Sequence, residues 1–233
     1  LAIITFSKYL IYIFTSPFYY INRSKFLRNS SNLKKEKIEN KIKISVIIPS
    51  WNEEVGIFNS VKSLLSSDYN NLEVIIVDDG STDNTEQKVN EFIQKNFNSY
   101  KKNSKTLIFF KKNNGGKASA LNYGIKKSSG NLIVTMDADT IFEKDALTIV
   151  ARYFMNESLD AAVGNVKVAN ANSLLGIIQQ IEYTIGFYFK RTHSIFNSEY
   201  IIGGAFGIFR KKMFEKYGYF DEKNKTEDIE FST

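Results

Sequence analysis

The sequence predicts an α/β protein built on a mostly parallel central sheet with helices on both faces. Two observations carry this expectation. Short β-branched or aromatic runs, "KISVII", "LEVIIV", "TLIFF" and "LIVTM", recur between residues 43 and 136, and after each comes a polar loop. The first three loops are followed in turn by apolar residues at helical spacing, so that strand, loop and helix repeat as βαβ units do. The runs are also nearly continuous in apolar character, as strands covered on both faces are.

Taken in order, residues 1–21, "LAIITFSKYLIYIFTSPFYYI", are apolar and aromatic, broken by Lys8 and Pro17. They are expected to form a transmembrane or interfacial helix, cut at its start. Residues 22–41 carry Arg23, Lys25, Arg28, Lys34, Lys35 and Lys37 and read as a basic juxtamembrane linker. The positive-inside rule then places residues 42–233, the α/β domain, on the cytoplasmic side of the cell membrane. After the first strand, "PSWNEE" leads into a helix expected to present Val55, Phe58, Val61, Leu64 and Leu65. "DDGSTDN" precedes a helix with Val89, Phe92 and Ile93, and "KKNNGGK" one with Ala118, Leu121 and Ile125. Residues 160–168 are a further strand candidate, 173–191 a long apolar helix and 200–210 a strand-like run. "KKMFEKYG" is a helix closed by glycine, and "TEDIEFST" starts another with Thr226 as N-cap. The chain opens inside an apolar run and stops inside a helix pattern, so it is expected to be a piece of a longer protein.

The 233 residues suffice for one sizeable core. The absence of cysteine excludes disulfides and thiolate metal sites. The net charge of +6 comes from scattered lysines rather than one basic stripe, which argues against a nucleic-acid partner.

In parallel sheets ligands bind beyond the carboxyl ends of the strands. The loops 49–54, 78–84 and 111–117 and the acids Asp137 and Asp139 all fall there. Asp137 and Asp139, two apart, share one face of an extended chain. Their charges would suit Mg²⁺ or Mn²⁺, completed by phosphate oxygens, or they could cap the next helix. Asp78 and Asp79 could receive a base or ribose, or serve turn chemistry. "NNGGK" sets backbone N–H groups and Lys117 before a helix, where an anion is favoured, or it is a simple loop. Trp51 could stack on a flat base or belong to the core. Glu227 and Asp228 could complement a helix dipole. His193 is assigned no role.

Together, "SVIIPSWNEE", "VIIVDDGSTDNT", "NNGGKASALNYG", "VTMDADT", "GGAFGIFRK" and "KTEDIEF" stand in the order seen in family 2 glycosyltransferases, which the chain resembles over residues 43–231. The run from Val163 to Arg191 resembles the membrane-embedded, processive branch that includes bacterial poly-β-1,6-N-acetylglucosamine synthases. The resemblance implies a GT-A fold and metal-dependent, inverting transfer from a UDP-sugar, N-acetylglucosamine being the sugar indicated, to a growing polysaccharide. The alternative is a non-processive member adding one sugar to a lipid or other acceptor. It implies that Asp79 binds uracil beside Trp51, where the family usually has Tyr or Phe, with Pro49 and Glu53 of the same loop at the donor. Lys117 and Asp137 would meet the donor diphosphate, and Asp139 with Asp137 would hold Mg²⁺ or Mn²⁺. Asp228 would be the general base, with Gly203, Gly204 and Glu227 at the acceptor. The implied partners are the UDP-sugar, the polysaccharide, membrane lipid and an accessory membrane subunit. The Gln-x-x-Arg-Trp motif of processive members would lie beyond Thr233.

Overall fold

The computed structural model describes residues 2–31, 34–101, 104–169, 172–196 and 204–223. In chain order the elements are α1 (Ala2–Ser31), α2 (Lys35–Lys41), β1 (Ile44–Ser50), α3 (Ile57–Leu65), β2 (Leu72–Asp78), α4 (Thr85–Lys101), β3 (Lys105–Lys111), α5 (Lys117–Lys127), β4 (Leu132–Met136), α6 (Ala146–Phe154), β5 (Ala161–Val163), α7 (Leu174–Ile195), β6 (Phe206–Arg210) and α8 (Lys211–Tyr217). The four expected βα repeats are present. The sheet runs β3-β2-β1-β4-β6-β5. Its first four strands are parallel, while β6 pairs antiparallel with β4 and β5 antiparallel with β6, so the sheet is mixed.

The chain divides into two compact units: Lys34–Gly164 with Ile201–Thr233, and Leu1–Leu33 with Asn165–Tyr200. In the first, strand alternation sends Ile47, Ile75, Val77 and Ile133 to one face, where Ala118, Leu121 and Ile125 of α5 meet them with Phe209, Phe214 and Phe220. Gly124 lets α5 come close, since a Cβ there would lie 2.4 Å from the Ile47 side chain. Val46, Ile48, Val74, Ile76 and Val134 have the opposite parity and are also buried, as are Val61 and Leu64 of α3 and Leu147 and Phe154 of α6. Both faces are therefore covered. α8 ends at Gly218, whose φ of +98° supplies the expected C-cap. Val55, expected on the α3 face, lies before the helix starts and is exposed.

At the amino ends of the strands, Glu73 is buried and fully engaged. Ser45 Oγ donates to it at 2.5 Å, the Ser129 N–H at 2.9 Å and Ser129 Oγ at 2.6 Å, with Lys43 Nζ at 3.8 Å. Burial pushes this carboxyl up, but the Ser129 and Ser45 hydrogen bonds and Lys43 outweigh it and hold it below the ordinary value of 4.5. A depressed carboxyl contributes stability that is present above its unfolded-state pKa and lost as pH falls through the folded one. Glu73→Ala is therefore expected to cost about 2–3 kcal/mol in urea unfolding at pH 7, with the gap narrowing below pH 4. An equal loss at pH 7 and pH 3 would contradict the charge-based account.

The second unit contains α1 and α7. Among the described residues no helix is long and apolar enough to cross a membrane. Of the transmembrane or interfacial helix expected over 1–21, the spanning form is not seen; residues 2–21 belong to the longer α1, whose apolar character is interrupted by Lys8, Thr15, Ser16 and Pro17. Polar groups lie between the two helices. Tyr12 Oη and His193 Nε2 are 3.2 Å apart, the Thr15 and Thr192 hydroxyls 3.1 Å apart, and Ser16 is buried. Large apolar side chains point away from this seam: Phe6, Ile13, Phe14 and Phe18 on α1, and Leu174, Leu175 and Ile181 on α7, are exposed.

Candidate functional site

The carboxyl ends of β1, β2 and β4 form one edge of the α/β unit. β1 is flanked by β2 and β4, and the chain reverses its order of travel across the sheet there. Loops leaving β1 and β4 diverge at such a point and open a crevice.

The loop after β1 is pinned to the loop after β2. Asn52 has φ +56°, a region that Asn tolerates, and its N–H donates to Ser81 Oγ at 2.8 Å while its Oδ1 accepts the Thr82 N–H at 2.9 Å. The Glu53 N–H donates to Thr85 Oγ1 at 3.0 Å, and Lys88 pairs with Glu54 at 3.4 Å. Trp51, 57% exposed, is held in this loop with its ring open to solvent, so it is not a core residue.

Asp79 organises the loop after β3. Only 4% exposed, it accepts the Gly115 N–H at 3.0 Å, the Gly116 N–H at 2.7 Å and Lys112 Nζ at 2.6 Å, while Asn114 Nδ2 donates to its carbonyl at 2.9 Å. Two glycines make this close packing feasible. Gly80 has φ +76° and a Cβ there would lie 2.9 Å from the Asn114 nitrogen; Gly116 has φ +88° at the N-cap of α5. Beside it, Asp78 is fully buried and accepts from both the N–H and the hydroxyl of Ser81. Its second oxygen and the Ser50 hydroxyl, in register at the tips of β2 and β1, are buried with no hydrogen-bond partner among the described residues. Buried polar atoms left over at a strand tip are the places a polar ligand or water satisfies.

Lys117 opens α5 and pairs with Asp137 at 2.8 Å. Asp137 and Asp139 do not cap a helix: α6 begins at Ala146, with Asp145 at the N-cap position. Asp139 is exposed and Asp137 partly so. Glu53 lies near Asp139, since a Cβ on Gly56 would lie 3.2 Å from its Oε2 and 3.8 Å from the Asp139 Cα. Burial and the charges of Asp139, Asp83 and Asp137 push the Glu53 carboxyl above its ordinary range. Such a group destabilises the fold once it ionises: its contribution is intact below the unfolded-state pKa and lost as pH rises through the folded one. Without added metal, Glu53→Gln is expected to raise Tm by roughly 2–4 °C at pH 7, and by much less near pH 4. A lower Tm for the variant at pH 7 would show that Glu53 is held by favourable contacts instead. Among the described residues no three acidic or histidine side chains are gathered into a ready-made metal cluster.

The structure thus brings together Pro49 at the end of β1, Trp51, Glu53, Asp79, Lys117, Asp137 and Asp139 along one edge of the sheet. Gly204, φ +71°, lies in the turn that leads into β6. Gly203, Glu227 and Asp228, and the expected cap Thr226, lie outside the described residues. Lys112, which neutralises Asp79, was not singled out from the sequence; its place directly after a strand and three residues before a Gly-Gly pair is the signal that could have found it.

Comparison with known proteins agrees with this geometry. The family model "Glycosyl transferase family 2" matches residues 45–218. A poly-beta-1,6-N-acetyl-D-glucosamine synthase of Staphylococcus epidermidis is 37% identical over 191 residues, 81% of this chain and 44% of that protein. The Staphylococcus aureus proteins of that name are 33% identical over 96% of this chain and 52% of theirs, so the chain spans about half the length of these curated relatives. Among solved structures, a mannosyltransferase of Pyrobaculum calidifontis in complex with GDP-Man and Mn²⁺ superposes with a TM-score of 0.63 at 20% identity, over 97% of this chain and 61% of that one. S. aureus TarS (1–349) in complex with UDP-GlcNAc does so with 0.57 at 21% identity, over 82% and 52%. At these identities both are likenesses of fold.

Proposed function

The chain belongs to glycosyl transferase family 2, and from that premise we propose that it carries the donor half of an inverting transfer of N-acetylglucosamine from a UDP-sugar to a growing polysaccharide. The observation that carries the reading is the convergence, at the carboxyl ends of β1, β2 and β4, of a loop gathered by Asp79, a lysine at the start of α5 and the Asp137–Asp139 pair.

The residues divide the work by chemistry. The exposed ring of Trp51 offers a face for the uracil, and the Asp79 loop shapes the wall against which the base lies. Asp79 already accepts from Lys112, Gly115 and Gly116, so a uracil N–H would share this carboxylate or displace Lys112 from it. Lys117 at the first turn of α5 favours an anion, and a diphosphate arriving there competes with Asp137 for its ammonium. A divalent cation, Mg²⁺ or Mn²⁺, suits the Asp137–Asp139 oxygens and the excess negative charge felt by Glu53. When bound, it supplies positive charge for the departing UDP. Two carboxylates leave its remaining ligands to phosphate and water. Asp228 takes the proton of the acceptor hydroxyl as that oxygen attacks the anomeric carbon, and a single displacement inverts the configuration. Gly203 and Gly204 let the acceptor come close, and Glu227 flanks it.

A seat at the cytoplasmic face of the cell membrane is supported by the α1–α7 pair, which turns polar groups inward and large apolar side chains outward, as a lipid environment favours. Lipid is thus a proposed partner, alongside an accessory membrane subunit.

The test is to express the full-length gene and supply UDP-N-acetylglucosamine, UDP-glucose and UDP-glucuronate separately, with Mg²⁺ or Mn²⁺. Polymer and UDP from the first donor, in the membrane fraction and lost in Asp228→Asn, is the expected result. Turnover of a different donor, or UDP release without polymer, would move the activity to another polysaccharide or to single-sugar transfer. A wholly soluble protein would remove the membrane seat.

A further inference from the structure

Ser60 is a polar residue on the buried face of α3, with Ile57, Val61 and Leu64 as its neighbours there. A serine inside a helix commonly turns its hydroxyl back onto its own backbone. Ser60 instead reaches a loop far away in sequence: its Oγ donates to the Ala138 carbonyl at 2.6 Å. Ala138, itself buried, is the residue between Asp137 and Asp139. β4 ends at Met136, so this stretch has left the strand, and the Thr140 N–H closes a turn on the Asp137 carbonyl at 3.1 Å. Gly56, at the N-cap of α3, lies beside the same peptide. A Cβ there would be 3.6 Å from the Ala138 oxygen and 3.8 Å from the Asp139 Cα. Two further ties hold the loop, both beyond the acids. The Phe142 N–H donates to Ser63 Oγ at 3.0 Å, and the Asp68 N–H donates to the Lys144 carbonyl at 2.8 Å. Phe142 is also buried, with its ring 4.4 Å from that of Phe206. Of these ties, the Ser60 bond alone falls between Asp137 and Asp139.

We infer that Ser60 is a positioning residue for the divalent cation: by holding the Ala138 carbonyl it sets the two carboxylates so that both can meet one ion. The peptide unit from the Ala138 Cα to the Asp139 Cα is planar. A bond that fixes its oxygen therefore fixes the tilt of the plane and the point from which the Asp139 side chain departs. Asp137, on the other side of Ala138, is anchored separately by Lys117 at 2.8 Å. A small hard cation tolerates little error in ligand placement, and groups that orient its ligands from behind govern its affinity. This role rests on the reading of Asp137 and Asp139 as the carboxylates that hold the cation. Ser63 ties down the same loop without touching the span between them, and so supplies a matched comparison.

The test uses the full-length protein with Mn²⁺ as the probe and UDP present. Bound Mn²⁺ is read from the loss of the free ion's EPR signal, and UDP binding without metal is titrated separately. In Ser60→Ala the Mn²⁺ affinity is expected to fall about tenfold while metal-free UDP binding is unchanged. Ser63→Ala also leaves a backbone group of the loop without its partner, and is expected to lower Tm to a similar degree while keeping the wild-type Mn²⁺ affinity. If Ser60→Ala does not fold, Ser60→Cys, of similar size but with a weaker donor, is expected to show the same loss at a few-fold scale. Wild-type Mn²⁺ affinity in the Ser60 variant, or an equal loss in both alanine variants, overturns the inference, because Ser60 would then only brace the loop. A wild type that binds UDP but no Mn²⁺ overturns it by a different route: Asp137 and Asp139 are then not a cation site, and that reading falls as well.

Discussion

An Asp139→Ala variant is expected to lose sugar transfer by about three orders of magnitude with its fold intact. Asp139 is exposed at the tip of β4, and α6 starts too far downstream for it to be a cap. Removing it should change stability by no more than about 0.5 kcal/mol. Its removal also relieves Glu53, one of whose burdens is the Asp139 charge. What goes is half of the paired carboxylates that suit a divalent cation. The checking measurement is UDP titration with and without Mn²⁺. Wild type should bind more tightly with the metal, whereas Asp139→Ala should be indifferent to it. A variant that kept the full Mn²⁺ response would remove Asp139 from the metal site, and the proposed role of the pair with it.

Asp79→Ala is expected to fail differently, losing stability and UDP binding together. The buried carboxylate satisfies two backbone N–H groups and pairs with Lys112, whose side chain is itself largely buried. Truncation leaves three donors without their acceptor, at a cost of about 2–4 kcal/mol. Asp79→Asn sharpens the test. Both carboxylate oxygens accept from N–H groups, so an amide in either orientation turns its NH₂ towards a donor. It should recover little of the loss in urea unfolding or UDP titration. A near-neutral Asp79→Asn would show that neither the charge nor the second acceptor holds the loop, and would return Asp79 to simple turn chemistry.

Much of the site could be read in the chain because its parts are local. "DDGS" carries its own turn glycine, "NGGK" its own helix start, and "DADT" follows its strand directly, so period and punctuation place each at the carboxyl end of a strand. What could not be read there is what each side chain meets. Asp137 touches Lys117, twenty residues earlier in sequence; Asp79 is claimed by Lys112, Gly115 and Gly116; Asn122 holds Phe220, nearly a hundred residues away. A helix cap for Asp137 and Asp139 was equally compatible with the sequence, and α6 starting at Ala146 removed it. The stretch 1–21 illustrates the converse. Its composition suggested a spanning or interfacial helix; α1 has 30 residues, but with Lys8, Thr15, Ser16 and Pro17 inside it, it is not apolar enough to cross a membrane.

By itself the sequence determined the α/β class, the βα repeats and the family, because hydrophobic period and short motifs are properties of neighbouring residues. The tertiary structure decided the mixed sheet, with β6 running against β4, and the partners of the acids. Those depend on contacts between residues far apart in the chain. Such contacts form only when the whole sheet and its helices pack, since no local propensity reports which strand will lie beside which.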